Sequence, residues 1–312
     1  MTSQRSDETE TFLRLLACAL PEQSQPLYDT ARRLGLTFEL DDAAEEILFQ
    51  ADSDINQIVV GRKCWLRLRA HALAYVFCWS CLGNQTAEYR SRMRSREARD
   101  EYFAAASRML TWAMGRELQI AYAQRGDTWK LEQVMRGAEA DLPPDIFDSV
   151  PEPQRILAAK VAISALAYIL FHEITHLEVG DVRREGPESV EQERQADRIA
   201  AERLLEDPSL PRTERLGRLL GIAVALLWLA SLNVYLGPGE ITGHPPGYDR
   251  LSQILRQFVH SHDQEEWESV CWFVALSLFL HVENRGLDYD PERLNAPPDE
   301  IADYLIDLIS RA

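Results

Sequence analysis

The densest group of chemically capable side chains in this sequence is His172-Glu173-Ile174-Thr175-His176. Histidines four residues apart project from one face of a helix, with Cβ atoms roughly 5–6 Å apart. Two imidazoles so placed can reach one tetrahedral Zn²⁺ at about 2.0–2.1 Å per bond. Glu173 lies beside the same face, where a carboxylate can take the proton of a metal-activated water. A motif this short arises by chance as well. Here it stands inside an apolar run, where three polar groups are costly to bury unless they share a partner.

A zinc on two histidines needs a third protein ligand. Downstream, Glu191-Gln-Glu193-Arg-Gln-Ala196-Asp197-Arg-Ile-Ala200-Ala201 reads as a second helix. Glu193 and Asp197 share a face, and Ala196 and Ala200 let that helix approach another backbone closely. The reading assigns Glu193 as third ligand, with Glu188 and Glu191 as rivals. Asp197 is expected to accept the free N–H of a ligand histidine, His172 first, and so fix its tautomer. An acidic cluster is commonly a solvated helix face; the small and apolar neighbours of Asp197 argue against that here.

Residues 237–247 hold four glycines and three prolines, a composition that excludes helix and limits freedom. His244 on this loop, and Tyr248 or Arg250 just after it, could donate a hydrogen bond to the oxyanion of a tetrahedral intermediate. His244 and Arg250 could equally serve to pin the loop to the ligand helix. The sequence leaves both roles open.

HEITH followed by ERQAD resembles the gluzincin metallopeptidases, whose pattern is HExxH then ExxxD. Within them, the chain is most similar to the Lit-type phage-exclusion peptidases. HtpX-like and Oma-like membrane peptidases share the Glu-x-x-Ala-Asp phrase. The stretch Gly243-His244-Pro-Pro-Gly-Tyr248-Asp-Arg250-Leu251 is similar to the His-Pro…Arg-Leu element that these families carry. The likeness covers about Ile156 to Leu255. It implies cleavage of a host protein during phage infection, with growth arrest as the outcome and elongation factor Tu as the target. The rival enzyme reading is a membrane-associated HtpX-like quality-control peptidase. A rival of another class is a metal-binding regulatory protein without turnover, for which an intact Glu173 would be superfluous.

The elements that must position these groups are helical. From Thr11 onward apolar residues recur mostly at helical spacing, as in Leu251, Ile254, Leu255 and Phe258. The expected fold class is therefore mainly α. A small β-hairpin is expected near residues 46–60, where Glu46–Gln50 and Asn56–Val60 flank a turn-like Ala-Asp-Ser-Asp. Gln154–Val179 lacks Pro and Gly, is apolar on every face in its middle, and has Gly180 ready as a cap. Leu219–Gly237 carries no charge, and Val270–Val282 is also apolar. The second of these is long enough to span a bilayer, but Ser231, Asn233 and its Gly-Pro-Gly exit favour a buried helix. Four prolines between Gly137 and Pro153 suggest a seam. Residues 1–150 would then be an N-terminal helical region, a candidate for substrate recognition, and 151–312 the metallopeptidase core.

The chain is strongly acidic: 50 Asp plus Glu against 33 Lys plus Arg give a net charge of −17. A phosphate backbone repels such a surface, so bulk nucleic-acid binding is excluded and the expected partner is a protein substrate. Five scattered cysteines and a polar first segment fit a reducing, cytoplasmic location. Cys78-Trp79-Ser80-Cys81 is expected late in a helix, as core thiols and not a redox pair. The arginines at 90, 92, 94, 96 and 99 are read as a solvated helix face. His71 and His281 are read as core histidines, and His260 and His262 as flanking a helix end.

Overall fold

In the computed structural model the described residues are 2–41, 49–82, 96–114, 150–180, 187–236, 247–258 and 264–311. Among them are ten α-helices and three strands: α1 (Thr2–Ala19), α2 (Ser24–Leu34), β1 (Thr37–Asp41), β2 (Phe49–Asp52), β3 (Gln57–Gly61), α3 (Arg62–Leu82), α4 (Arg96–Ala113), α5 (Glu152–Val179), α6 (Pro187–Leu205), α7 (Arg212–Leu236), α8 (Gly247–Phe258), α9 (Gln264–Arg285) and α10 (Pro298–Arg311). The fold is mainly α, as the periodicity requires. The seam between Gly137 and Ser149, the arginines at 90, 92 and 94, the loop carrying His244, and His260 and His262 all lie outside the described residues.

The chain packs as two compact units. One comprises the described parts of Met1–Leu68 and Lys160–Ala225; the other those of Arg69–Ala159, Leu226–Ile241 and Pro246–Ala312. Each unit takes segments from both sides of residue 150.

The first unit is built around α5. Val161, Ala162, Ala165, Leu166, Leu170, Phe171 and Ile174 are all buried, as expected of a helix without a polar face. Gly180 ends the helix in the left-handed region at φ 67°, which only glycine enters without cost. α7 packs so closely on α5 that a Cβ on Gly221 would stand 2.4 Å from the Cβ of Ser164. Arg218, buried on α7, donates to Glu22, to Glu214 and to the carbonyl of Leu204. By length and composition α5 is also a helix that could cross a bilayer, yet 61% of its most apolar window is packed inside the protein.

The expected hairpin forms as β2 and β3, antiparallel with Ala51 opposite Ile58. It is part of a larger sheet than the sequence suggested. β1 lies parallel to β3 on its other side, giving the order β1-β3-β2. Phe38, Ile58 and Val60 point into the core, and Phe38 stacks on Phe12 of α1 at 5.2 Å. Side chains of α1 tie down the outer edge of β1: Phe38 N–H donates to Thr9 Oγ1 at 3.0 Å and Leu40 N–H to Glu8 Oε2 at 3.3 Å.

The second unit centres on α9, buried continuously from Val270 to Val282. The amphipathic α10 covers it with Ile301, Leu305 and Ile309. α4 joins it through Ser107 and Thr111, whose hydroxyls both donate to Asn284 Oδ1, at 2.8 and 3.0 Å. Cys78 is buried late in α3, in keeping with a core thiol.

His71 and His281 are core histidines, and His281 lies 2.5 Å from the Tyr75 hydroxyl. Burial, helped by His71 and Arg285, pushes the His281 imidazole down to about 3. The folded state therefore refuses a proton that the unfolded chain accepts below about pH 6.5. Stability from this group is complete above that pH and is lost as pH falls toward 3, by about 1.4 kcal/mol per unit. We expect His281→Gln to flatten the acid limb of a denaturant-melt stability profile between pH 6 and 4 by roughly that slope. Parallel profiles for parent and variant would contradict this account.

Candidate metal centre

α5 and α6 bring together the residues that the spacing singled out. His172 and His176 stand one turn apart on α5, and Glu193 faces them from α6. The three edges are 3.1 Å between the two Nε2 atoms, 3.2 Å from His172 Nε2 to Glu193 Oε2, and 3.4 Å from His176 Nε2 to Glu193 Oε1. His172 and Glu193 are buried, at 5% and 7% exposure, and the group could hold a metal ion. Donors about 2.0–2.1 Å from a tetrahedral centre stand roughly 3.3 Å from each other, so both the donor set and its spacing fit zinc. Such a cluster of lone pairs and charge in the interior is otherwise expensive.

The surroundings orient these donors. Asp197 Oδ1 lies 3.0 Å from His172 Nδ1, the ring nitrogen turned away from the cluster. The same Oδ1 accepts from the Tyr168 hydroxyl at 2.7 Å. Ala196, Ala200 and Ala201 are buried beside them; small side chains here let α6 carry its two acids up to α5. Burial opposes charge on His176, but the hydrogen bond and charge of Glu193, with Glu173 adding, hold its pKa above the usual histidine value. At the exit of α5, Glu178 is held by Arg33, Arg203 and Thr30. The Arg203 guanidinium also lies over the Phe171 ring, 5.4 Å from its centroid.

Glu173 is half-buried, and its Oε2 accepts the backbone N–H of Ala51 at 3.0 Å. The other carboxylate oxygen has no role in that bond. Of the rival ligands, Glu191 is exposed and faces Arg194 at 3.9 Å, while the side chain of Glu188 lies outside the described residues. Tyr248 and Arg250 are buried on the first turn of α8, within the second unit. Burial raises the Tyr248 pKa further above its normal range, so the phenol stays protonated.

Tyr168, Glu178 and Ala51 were not singled out from the sequence. Tyr168 had a legible signal: it precedes His172 by four residues, so its hydroxyl shares the histidine face. Ala51 had none, because every residue but proline offers the same backbone donor.

No solved structure matches this chain. The cell death peptidase of Escherichia coli strain K12 is 29% identical over 140 residues, covering 45% of this chain and 46% of that protein. The aligned stretch is thus about half the length of the curated relative. The family described as Peptidase U49 matches residues 62–272, from the first turn of α3 into α9, and includes α5 and α6 with His172, Glu173, His176, Glu193 and Asp197. With about two thirds of its length matched, the chain belongs to the Peptidase U49 family.

Proposed function

We propose that this chain is a zinc-dependent endopeptidase acting in the cytoplasm on a protein substrate, in the setting of phage exclusion. The observation that carries the reading is the convergence of two imidazole Nε2 atoms and one carboxylate at tetrahedral spacing. Family membership and the name of the Escherichia coli relative, a cell death peptidase, support it.

His172, His176 and Glu193 hold the metal in this reading. Bound there, zinc supplies Lewis acidity and lowers the pKa of a water toward about 7. Glu173 takes the proton from the attacking water at its Oε1 and passes it to the leaving amine. Asp197 and Tyr168 keep His172 with its Nε2 lone pair presented to the cluster. His244 is the proposed oxyanion donor.

Asp197→Asn should weaken zinc binding by about 10- to 100-fold, the usual cost of losing an acceptor behind a ligand histidine. Chelator competition measures it; an unchanged affinity would remove Asp197 from this role. The reading as a whole is tested by comparing cleaved N-termini in cells expressing the parent and Glu173→Gln. At least one new terminus should depend on Glu173, and elongation factor Tu, implied by the resemblance, is the first protein to inspect. No Glu173-dependent terminus on any protein would overturn it.

A further inference from the structure

We infer that the edge of β2 is the positioning element for the base: the Ala51 N–H fixes Glu173 by holding Oε2, so that Oε1 faces the cluster side. The inference rests on the reading of Glu173 as proton acceptor. In the order β1-β3-β2, strand β2 has, among the described residues, a neighbouring strand on one side only. Along an edge strand, alternate N–H groups point away from the ladder and must find another partner or water. At Ala51 the partner is a carboxylate of α5, at 3.0 Å. The other edge of the sheet is tied in the same manner by Thr9 and Glu8 of α1. Side chains from helices thus hold both edges, and one of them is the side chain that the reaction needs.

The physical reason for such a bond is entropic and geometric. A glutamate has three side-chain torsions, and fixing them costs up to about 1.5–2 kcal/mol. Proton transfer works only within hydrogen-bond reach of the reacting water. A carboxylate held at one oxygen by a backbone donor meets that need before substrate arrives. The backbone of a paired strand is also stiffer than any side chain that could be used instead. The location of β2 beside α5 therefore gives the small sheet a function in an otherwise helical protein.

The first test uses metal-free protein labelled with ¹⁵N-alanine, and follows amide exchange at Ala51 by NMR. An outward edge amide without a partner exchanges fast. We expect Ala51 to be protected in the parent and in Glu173→Gln, which keeps an acceptor oxygen. Glu173→Ala should expose it by about tenfold or more, with β3 amides unchanged. Equal exchange in the parent and Glu173→Ala overturns the inference, whatever the activity.

The second test is Ala51→Pro, which deletes the N–H at a position that faces away from the ladder, where an edge strand tolerates proline. With zinc per chain and melting behaviour kept, kcat should fall by about 10- to 100-fold and KM should stay within about threefold. Full kcat in Ala51→Pro, alongside an inactive Glu173→Gln, overturns the inference and leaves the proposed function standing. Retained turnover in Glu173→Gln overturns the proposed function itself and, with it, the role assigned to Ala51.

Discussion

Glu173→Gln is expected to abolish peptide hydrolysis and to leave zinc binding at one per chain. The substitution removes the proton acceptor but touches none of His172, His176 or Glu193, whose mutual spacing of 3.1 to 3.4 Å defines the cluster. Gln also keeps an oxygen for the Ala51 N–H and nearly the same volume, so neither strand nor helix should move. Loss of a positioned general base costs about 10²- to 10⁴-fold in rate. Metal analysis and turnover must be measured on the same sample. Turnover within tenfold of the parent would reject Glu173 as the base. Loss of metal would show instead that the residue is part of the binding set.

Glu193→Ala should have the opposite signature, with metal and activity lost together. Two histidines offer an incomplete set for zinc, which is held by three protein ligands at catalytic sites. The glutamate would also compensate the charge of a bound ion in a nearly water-free position, at 7% exposure. Glu191→Ala is the matched comparison, since that side chain is 76% exposed and directed toward Arg194. We expect full zinc occupancy in Glu191→Ala and little in Glu193→Ala after dialysis against a weak chelator. Retention of metal by Glu193→Ala would break the assignment of the third ligand.

The legible part of the site is the part set by local spacing. His172 and His176 lie on one helix, and so do Glu193 and Asp197, so a rise of 1.5 Å per residue fixes each pair. The meeting of the two helices followed from Ala196 and Ala200, which flank Asp197. β1 was missed because its partner in the sheet is β3, some twenty residues on, and a parallel pairing leaves no turn signal. Tyr168 was missed because an aromatic in an apolar run reads as core until its hydroxyl is given a partner. Gly221, inside an uncharged helix, gave no hint that Ser164 lies against it, since close approach of two helices belongs to the pair.

The two tied edges of the sheet have a bearing on how copies of this protein behave in concentrated solution. An open strand edge is a template on which another chain can pair, and natural proteins block such edges to remain monodisperse. Here α1 blocks one side through Thr9 and Glu8, and α5 blocks the other through Glu173. On the proposed function, the acid that serves as base would thereby also guard against strand-to-strand aggregation. A preparation made as Glu173→Ala is expected to lose both properties at once and to self-associate more readily. One made as Glu173→Gln keeps the guard, and is the sounder bait for capturing a bound substrate.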